Sequence, residues 1–272
     1  MNSDLPPLFF LGAGRMAGAM VRGLLAAGAI PPDQVVCSGG RGLSAEALAA
    51  ETGIRREPDP LVALAASEVL VLACKPHQLD ELPPELASAT AGKLVVSVLA
   101  GIPLDRLRQL APEARNLVRT MPNTPSRIGE GMTAYAMDRP LTSYDEGIVR
   151  ALLEPLGKVL PIAESHLDAV TAVSGSGPAY VFEFTRALAA AGESLGLEPA
   201  DAARLARQTV IGAAGLLAQR SGSSAAELRD EVASPGGTTE AGLHALEEAG
   251  LEEALRRTAT AARDRSRELS GR

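Results

Sequence analysis

Tryptophan is absent from this sequence of 272 residues, and aromatic side chains make up only 3% of it, so large rings cannot form its core. The core falls instead to Ala, Leu and Val, whose small volumes let helices approach closely and favour a helix-rich fold. Cysteine is nearly as scarce. Cys37 and Cys74 close the strand-like runs VVCS and VLVLAC, and without an export signal they read as buried free thiols rather than a disulfide or a metal site. No apolar run approaches the roughly 20 residues needed to span a bilayer. The start, MNSDLPPLFFLGAG, has no basic leader and runs straight into a glycine turn, so it reads as a first strand rather than a signal peptide. A soluble cytoplasmic protein with no membrane partner is expected. Lysine occurs only at Lys75, Lys93 and Lys158, the net charge is −7, and no basic run reverses it. That balance excludes a nucleic-acid binder that works by neutralising phosphates.

What is present is alternation. From Leu8 to about Ile162, the runs LFFLG, VVCS, EVLVLAC, KLVVSVLAG and RNLVRTM are separated by helical patterns over Met16 to Ala27, Ser44 to Glu51, Gln78 to Leu86 and Leu104 to Leu110. Continuous Val/Ile/Leu runs mark strands buried on both faces, and helices between them imply a doubly wound, Rossmann-type α/β sheet. MTAYAM and KVLPI flank a helix over Tyr144 to Leu156 and extend the same sheet. After Glu164 the β-runs stop, and helices follow over His166 to Val173, Pro178 to Leu195, Pro199 to Gln219, Ala225 to Val232, Thr239 to Glu248 and Leu251 to Leu269. Two domains are expected, 1–164 with the sheet and 165–272 all helical. The helices from 178 and 199 are apolar over most of their faces, which calls for a second subunit to cover them, hence a homodimer.

GAGRMAG follows the first strand, with Gly12, Gly14 and Ala17 in dinucleotide-motif positions. Gly12 permits the tight turn, Gly14 lets the backbone approach a pyrophosphate, and Ala17 lets the helix pack on the sheet. Ala13, Arg15 and Met16 complete the contact, because a helix starting near Arg15 directs unpaired N–H groups and a positive dipole end at the phosphates. The second strand ends in Ser38 and is followed by Arg41, where an NAD site usually carries a carboxylate. A hydroxyl and a guanidinium bind a 2′-phosphate instead, so NADP(H) is preferred with NAD(H) possible; plain solvation of Arg41 is the other reading. ACKPH and LAG end the third and fourth strands at the sheet's ligand-binding edge, which nominates Ala73, Lys75, Pro76, Ala100 and Gly101 for the cofactor. Lys75 is open to a bland reading as a strand-end lysine, and His77 reads as a loop residue.

Three further segments carry chemistry: MPNTP at 121–125, VSGSGPAYVF at 173–182 and ELRDEVASPGGTTEAGLHALE at 227–247. SPGGTT precedes a helix, so Gly236, Gly237, Thr238 and Thr239 can offer N–H groups and hydroxyls to a carboxylate; an ordinary turn with Thr238 as N-cap is the alternative. Ser174, Gly175, Ser176 and Gly177 read as a flexible small-residue turn, with Pro178 opening the next helix. Such a turn either admits a flat ring close to the backbone or merely joins two helices. No paired carboxylates, metal-ligand cluster or Ser/His/Asp arrangement is visible, so no metal is expected.

Together with GAGRMAG and VLACKPH, these segments resemble the motif set of pyrroline-5-carboxylate reductases, in the same order and over essentially the whole chain. The resemblance implies hydride transfer from a reduced nicotinamide to a cyclic imine, giving proline. It implies that Ser234, Gly237, Thr238 and Thr239 hold the substrate carboxylate, with Thr239 also approaching the ring nitrogen as the catalytic partner. It places Ser174, Gly175, Ser176 and Gly177 at the substrate and Met121 and Asn123 beside the nicotinamide. It further implies a homodimer, in some members assembled into a decamer of five dimers. The sequence departs from the family at EPDPLV, where members often have Asn near the adenosine ribose; Pro60 has no N–H to donate, and no contact is assigned there. Three alternatives are a β-hydroxyacid dehydrogenase, disfavoured because no lysine follows Lys158, a non-catalytic NADP(H) sensor, and a reductase of another cyclic imino acid.

Overall fold

A computed structural model describes residues 5–39 and 43–270. Its sheet grows from the short apolar runs: β1 (Leu8–Leu11), β2 (Val35–Ser38), β3 (Arg55–Arg56), β4 (Val69–Leu72), β5 (Leu94–Ser97), β6 (Asn116–Met121), β7 (Gly131–Met137) and β8 (Gly157–Pro161). The strand order is β3-β2-β1-β4-β5-β6-β7-β8. All neighbours are parallel except β6 and β7, which are antiparallel. Every residue of β1, β2, β4 and β5 is buried. Alternate side chains serve opposite faces, as the two-residue strand period requires. Leu8, Phe10, Val69 and Val71 pack in one core with Met20 and Leu24 of α1 (Arg15–Ala26), while Phe9, Leu70 and Leu72 pack in another with Leu64 of α3 (Pro60–Ala65). The doubly wound sheet expected from the runs is therefore present.

The chain leaves β1 toward β2 and β3, then crosses back to place β4 on the other side of β1. That reversal opens a crevice at the carboxyl ends of β1 and β4, the place where open α/β sheets bind ligands.

Local details depart from the sequence pattern. The single helix expected over Gln78 to Leu86 is a 3-10 turn, Pro76–Glu81, followed by the five-residue α4 (Glu85–Ala89). Pro83 and Pro84 interrupt it, since proline cannot donate to the helical ladder. The two-residue β3 carried no pattern to betray it. The turn expected at Ser174 to Gly177 is not a turn: α7 (Leu167–Val170) runs into a π-helical stretch, Thr171–Gly175, and Ser176 keeps right-handed helical angles into α8 (Gly177–Ser194). Neither Gly175 nor Gly177 has a positive φ.

Contacts divide the chain into two compact units, Met1–Gly175 with Ala262–Arg272, and Ser176–Ala261. The second comprises α8, α9 (Pro199–Gln219), α10 (Ala225–Val232), α11 (Thr238–Glu248) and the start of α12 (Leu251–Leu269), whose last turns belong to the first unit. Within the second unit α8 packs on α9, and a Cβ on Gly192 would lie 3.3 Å from that of Ala202. Small residues thus let the two helices approach near their connecting turn. No helix among the described residues is long and apolar enough to cross a membrane.

Candidate functional site

A cleft of about 620 Å³ opens at the carboxyl ends of β1, β2 and β4 and brings together Gly12, Ala13, Gly14, Ser38, Ala73 and Lys75, with His77 also on its wall. Its floor is stitched by backbone: the Gly12 N–H donates to the Ser38 carbonyl, and the Ala73 N–H to the Leu11 carbonyl, each at 2.9 Å. Gly12 has φ +114°, and a Cβ there would lie 2.4 Å from the Ala73 carbonyl carbon and the Cys74 nitrogen. Glycine is thus required by conformation and by contact with the neighbouring strand end. Gly14 differs. It is the N-cap of α1, in extended conformation and without a side-chain cap, and a Cβ there would meet no protein atom within 4 Å. Its bare backbone faces open space, and the first N–H groups of α1, those of Arg15 and Met16 among them, have no intrahelical acceptor. This arrangement fits a pyrophosphate.

Ser38 ends β2 and is 4% exposed; Arg41 lies outside the described residues. Lys75 is exposed, and among the described residues no carboxylate pairs with its ammonium. Its backbone is fixed by Gln78, whose Oε1 accepts the Lys75 N–H at 2.9 Å while the Gln78 N–H donates to the Lys75 carbonyl at 2.9 Å. Pro76 opens that 3-10 turn. Cys74 also lines the cleft; burial pushes its thiol up to about 11, against a smaller lowering by a backbone hydrogen bond. In the EPDPLV stretch, Asp59 accepts the Leu61 N–H at 2.8 Å and caps α3, with Pro60 in its first turn.

Ala100 and Gly101 follow β5, with Gly101 at φ +76°. The loop they occupy leads to α5 (Leu104–Leu110), whose Leu104 N–H donates to Glu164 Oε1 at 2.7 Å. The same oxygen accepts from Arg119 at 2.8 Å. Arg119 is 4% exposed in β6, so a buried cation anchors the carboxylate that holds the end of this loop. The sequence reading missed this pair, although a lone charge in the apolar run NLVRTM was a signal for Arg119.

Met121 ends β6 and packs where Gly175 has no side chain: a Cβ on Gly175 would lie 2.5 Å from the Met121 Cε. Asn123, 9% exposed, has both ends of its amide engaged. Its Nδ2 donates to the Ser174 carbonyl at 3.0 Å, and its Oδ1 accepts the Met132 N–H at 2.9 Å. It therefore ties the end of β6 to β7 and to the π-helical stretch, a framing job the motif alone does not reveal. Ser176 and Gly177 continue into α8 in the second unit.

Ser234, Gly237, Thr238 and Thr239 lie together at the start of α11 in the second unit. Gly237, not Thr238, is the N-cap, without a side-chain cap bond; the helix begins at Thr238. Gly236 takes φ +70°. Two of the four expected donors are occupied: the Gly236 N–H donates to Glu240 Oε2 at 2.7 Å, and the Gly237 N–H to the Ser234 carbonyl at 2.9 Å. The N–H groups of Thr238 and Thr239, in the first helical turn, and the two hydroxyls remain available to an anion.

Known families and proteins are similar to the chain over most of its length. Residues 164–269 match a family model described as pyrroline-5-carboxylate reductase dimerisation, and residues 7–101 match one for coenzyme F420-dependent NADP oxidoreductases. The chain is 39% identical to a pyrroline-5-carboxylate reductase of Synechocystis, over 96% of this chain and 97% of that protein. A pyrroline-5-carboxylate reductase structure from Coxiella burnetii superposes with a TM-score of 0.92 at 32% identity, covering 98% of this chain and 99% of the other. A pyrroline carboxylate reductase of Plasmodium falciparum, solved with NADP bound, has a TM-score of 0.82 at 26% identity, covering 97% and 98%.

Proposed function

Since this chain belongs to the pyrroline-5-carboxylate reductase family, we propose how its own residues carry out the family's reaction, reduction of the imine C=N bond of pyrroline-5-carboxylate to proline with NAD(P)H. It is an oxidoreductase of proline biosynthesis. The observation that carries the assignment of residues is the open backbone at Gly14 above the start of α1, shaped for a pyrophosphate at the switch point of the sheet. Gly12, Ala13, Gly14, Arg15 and Met16 hold that group. Ser38 and Arg41 take the 2′-phosphate, so NADPH is preferred and NADH is the poorer reductant. Ala73, Lys75 and Pro76 line the next stretch of the cofactor, and Ala100, Gly101 and Met121 the nicotinamide end, with Asn123 holding their frame.

When bound, the reduced nicotinamide supplies the hydride, and the proton comes with the substrate, which arrives protonated on its ring nitrogen as the iminium. The protein's part is to orient the substrate and to keep its ring nitrogen hydrogen-bonded. The Ser234 hydroxyl and the N–H groups and hydroxyls of Thr238 and Thr239 receive the substrate carboxylate at the positive end of α11, while Gly237, its N–H held by the Ser234 carbonyl, shapes the turn beside it. The Thr239 hydroxyl faces the ring nitrogen, and the small residues Ser174, Ser176 and Gly177 leave room for a flat ring, the space at Gly175 being filled by Met121. By function the chain divides into a cofactor part, 1–164, and a substrate and dimerisation part, 165–272, although the compact units part at Gly175 and the end of α12 belongs to the first. The enzyme works in the cytoplasm as a homodimer, with five dimers joining into a decamer.

Steady-state oxidation of NADPH and NADH with five- and six-membered cyclic imines tests this reading. Preference for NADPH and the five-membered ring is expected, and a clear preference for NADH would refute the roles of Ser38 and Arg41. Thr239→Ala should raise KM for the imine about tenfold or more, the loss of one hydrogen bond to a charged group; unchanged turnover and KM would remove Thr239 from the site.

A further inference from the structure

We propose that Glu240 is a positioning residue for the imine's carboxylate, a role that rests on reading the start of α11 as the substrate site. Glu240 is the third residue of α11, and its carboxylate reaches back four residues to accept the Gly236 N–H at 2.7 Å. Gly236 sits in the left-handed region, at φ +70°, and the next turn is closed by the Gly237 N–H on the Ser234 carbonyl at 2.9 Å. Without the Glu240 bond, the Gly236 N–H has no partner in the turn, and a glycine pair is the most entropically free element a chain can place ahead of a helix.

The bond therefore has two consequences. It orders Ser234, Gly236 and Gly237 before substrate arrives, so binding energy is not used to freeze the turn. It also removes Gly236 from the set of anion donors and leaves the N–H groups of Thr238 and Thr239 as the pair that meets the carboxylate. Glu240 touches neither substrate nor cofactor in this scheme and acts only through the backbone of Gly236.

The test compares Glu240→Gln with Glu240→Ala in the full-length enzyme. Both variants are neutral at position 240, so the pair separates the hydrogen bond from the charge: the Gln Oε1 can still accept the Gly236 N–H, and Ala cannot. KM for pyrroline-5-carboxylate is expected to be at least about threefold higher in Glu240→Ala than in Glu240→Gln, the scale of a lost helix-start bond, with KM for NADPH alike in the two. Equal imine KM values in the two variants would overturn the proposal. So would a parallel rise in both KM values, which marks a general structural defect. Thr239→Ala measured alongside distinguishes the failures: if it too leaves the imine KM unchanged, the carboxylate site itself is misplaced, and if it raises KM while the Glu240 variants agree, only the role of Glu240 falls.

Discussion

Leu8, Phe9, Phe10 and Leu117 in the first unit are wholly enclosed, whereas Phe182 on α8 is 69% exposed, and none of the 18 residues of that helix is buried. In the second unit only Ala202 and Ala206 are buried. Val181, Phe184, Leu188, Leu205 and Ile211 all face outward in the single chain. The sheet unit encloses its apolar surface with its own helices. The helical unit leaves many large apolar side chains uncovered, and its sequence matches a dimerisation domain. One unit has a core of its own; association of the other would make its stability depend on protein concentration.

The sharpest way to break that contrast is a core truncation. Leu117→Ala in β6 is expected to lower stability by about 2–5 kcal/mol, in urea denaturation, to the same extent at every protein concentration. Gly12→Ala comes next. A methyl 2.4 Å from the Ala73 and Cys74 backbone should cut kcat/KM by roughly 100-fold through cofactor binding, the scale of a few kcal/mol of forced strain, and NADPH titration reads it directly. Phe182→Asp should weaken dimerisation by at least about 30-fold, seen by light scattering on dilution. If instead the loss persisted unchanged at high concentration, Phe182 would belong to an internal core.

The smallest effect is a pH dependence confined to the first unit. The Cys74 thiol rises from its ordinary 9.0 to about 11 in the folded chain because of burial. The folded state then holds the proton more tightly than the unfolded one, so this contribution is complete below about pH 9 and is lost as pH rises toward about 11. Cys74→Ala should flatten that part of the alkaline decline in Tm.

Much of this was legible in the residues themselves. VLVL and LVVS read as strands because sidedness and burial are written in consecutive apolar residues, and α9, α10 and α12 matched their punctuation because capping and breaking are local events. At Ser174 to Gly177 the same local reading failed: glycine and serine signal a turn, yet helical hydrogen bonding continues through Gly175, whose missing side chain leaves room for Met121. The Gln78 to Leu86 helix failed for the opposite reason, two prolines being given too little weight.

The amino-acid order by itself determined the alternation of strands and helices, the glycine turn after β1, the missing carboxylate after β2 and the glycine-threonine start of α11. Each of these depends on neighbours a few residues apart, within reach of backbone sterics and helix geometry. Only the tertiary structure decided that β7 runs antiparallel to β6, that Arg119 and Glu164 brace the loop before α5, that Asn123 ties Met132 to Ser174, and that Gly12 has a second reason to be glycine. Those pairs lie 45, 9 and 51 residues apart in sequence for the three side-chain bonds. No local pattern encodes them, because their energy exists only once the sheet has brought the partners within a few ångströms.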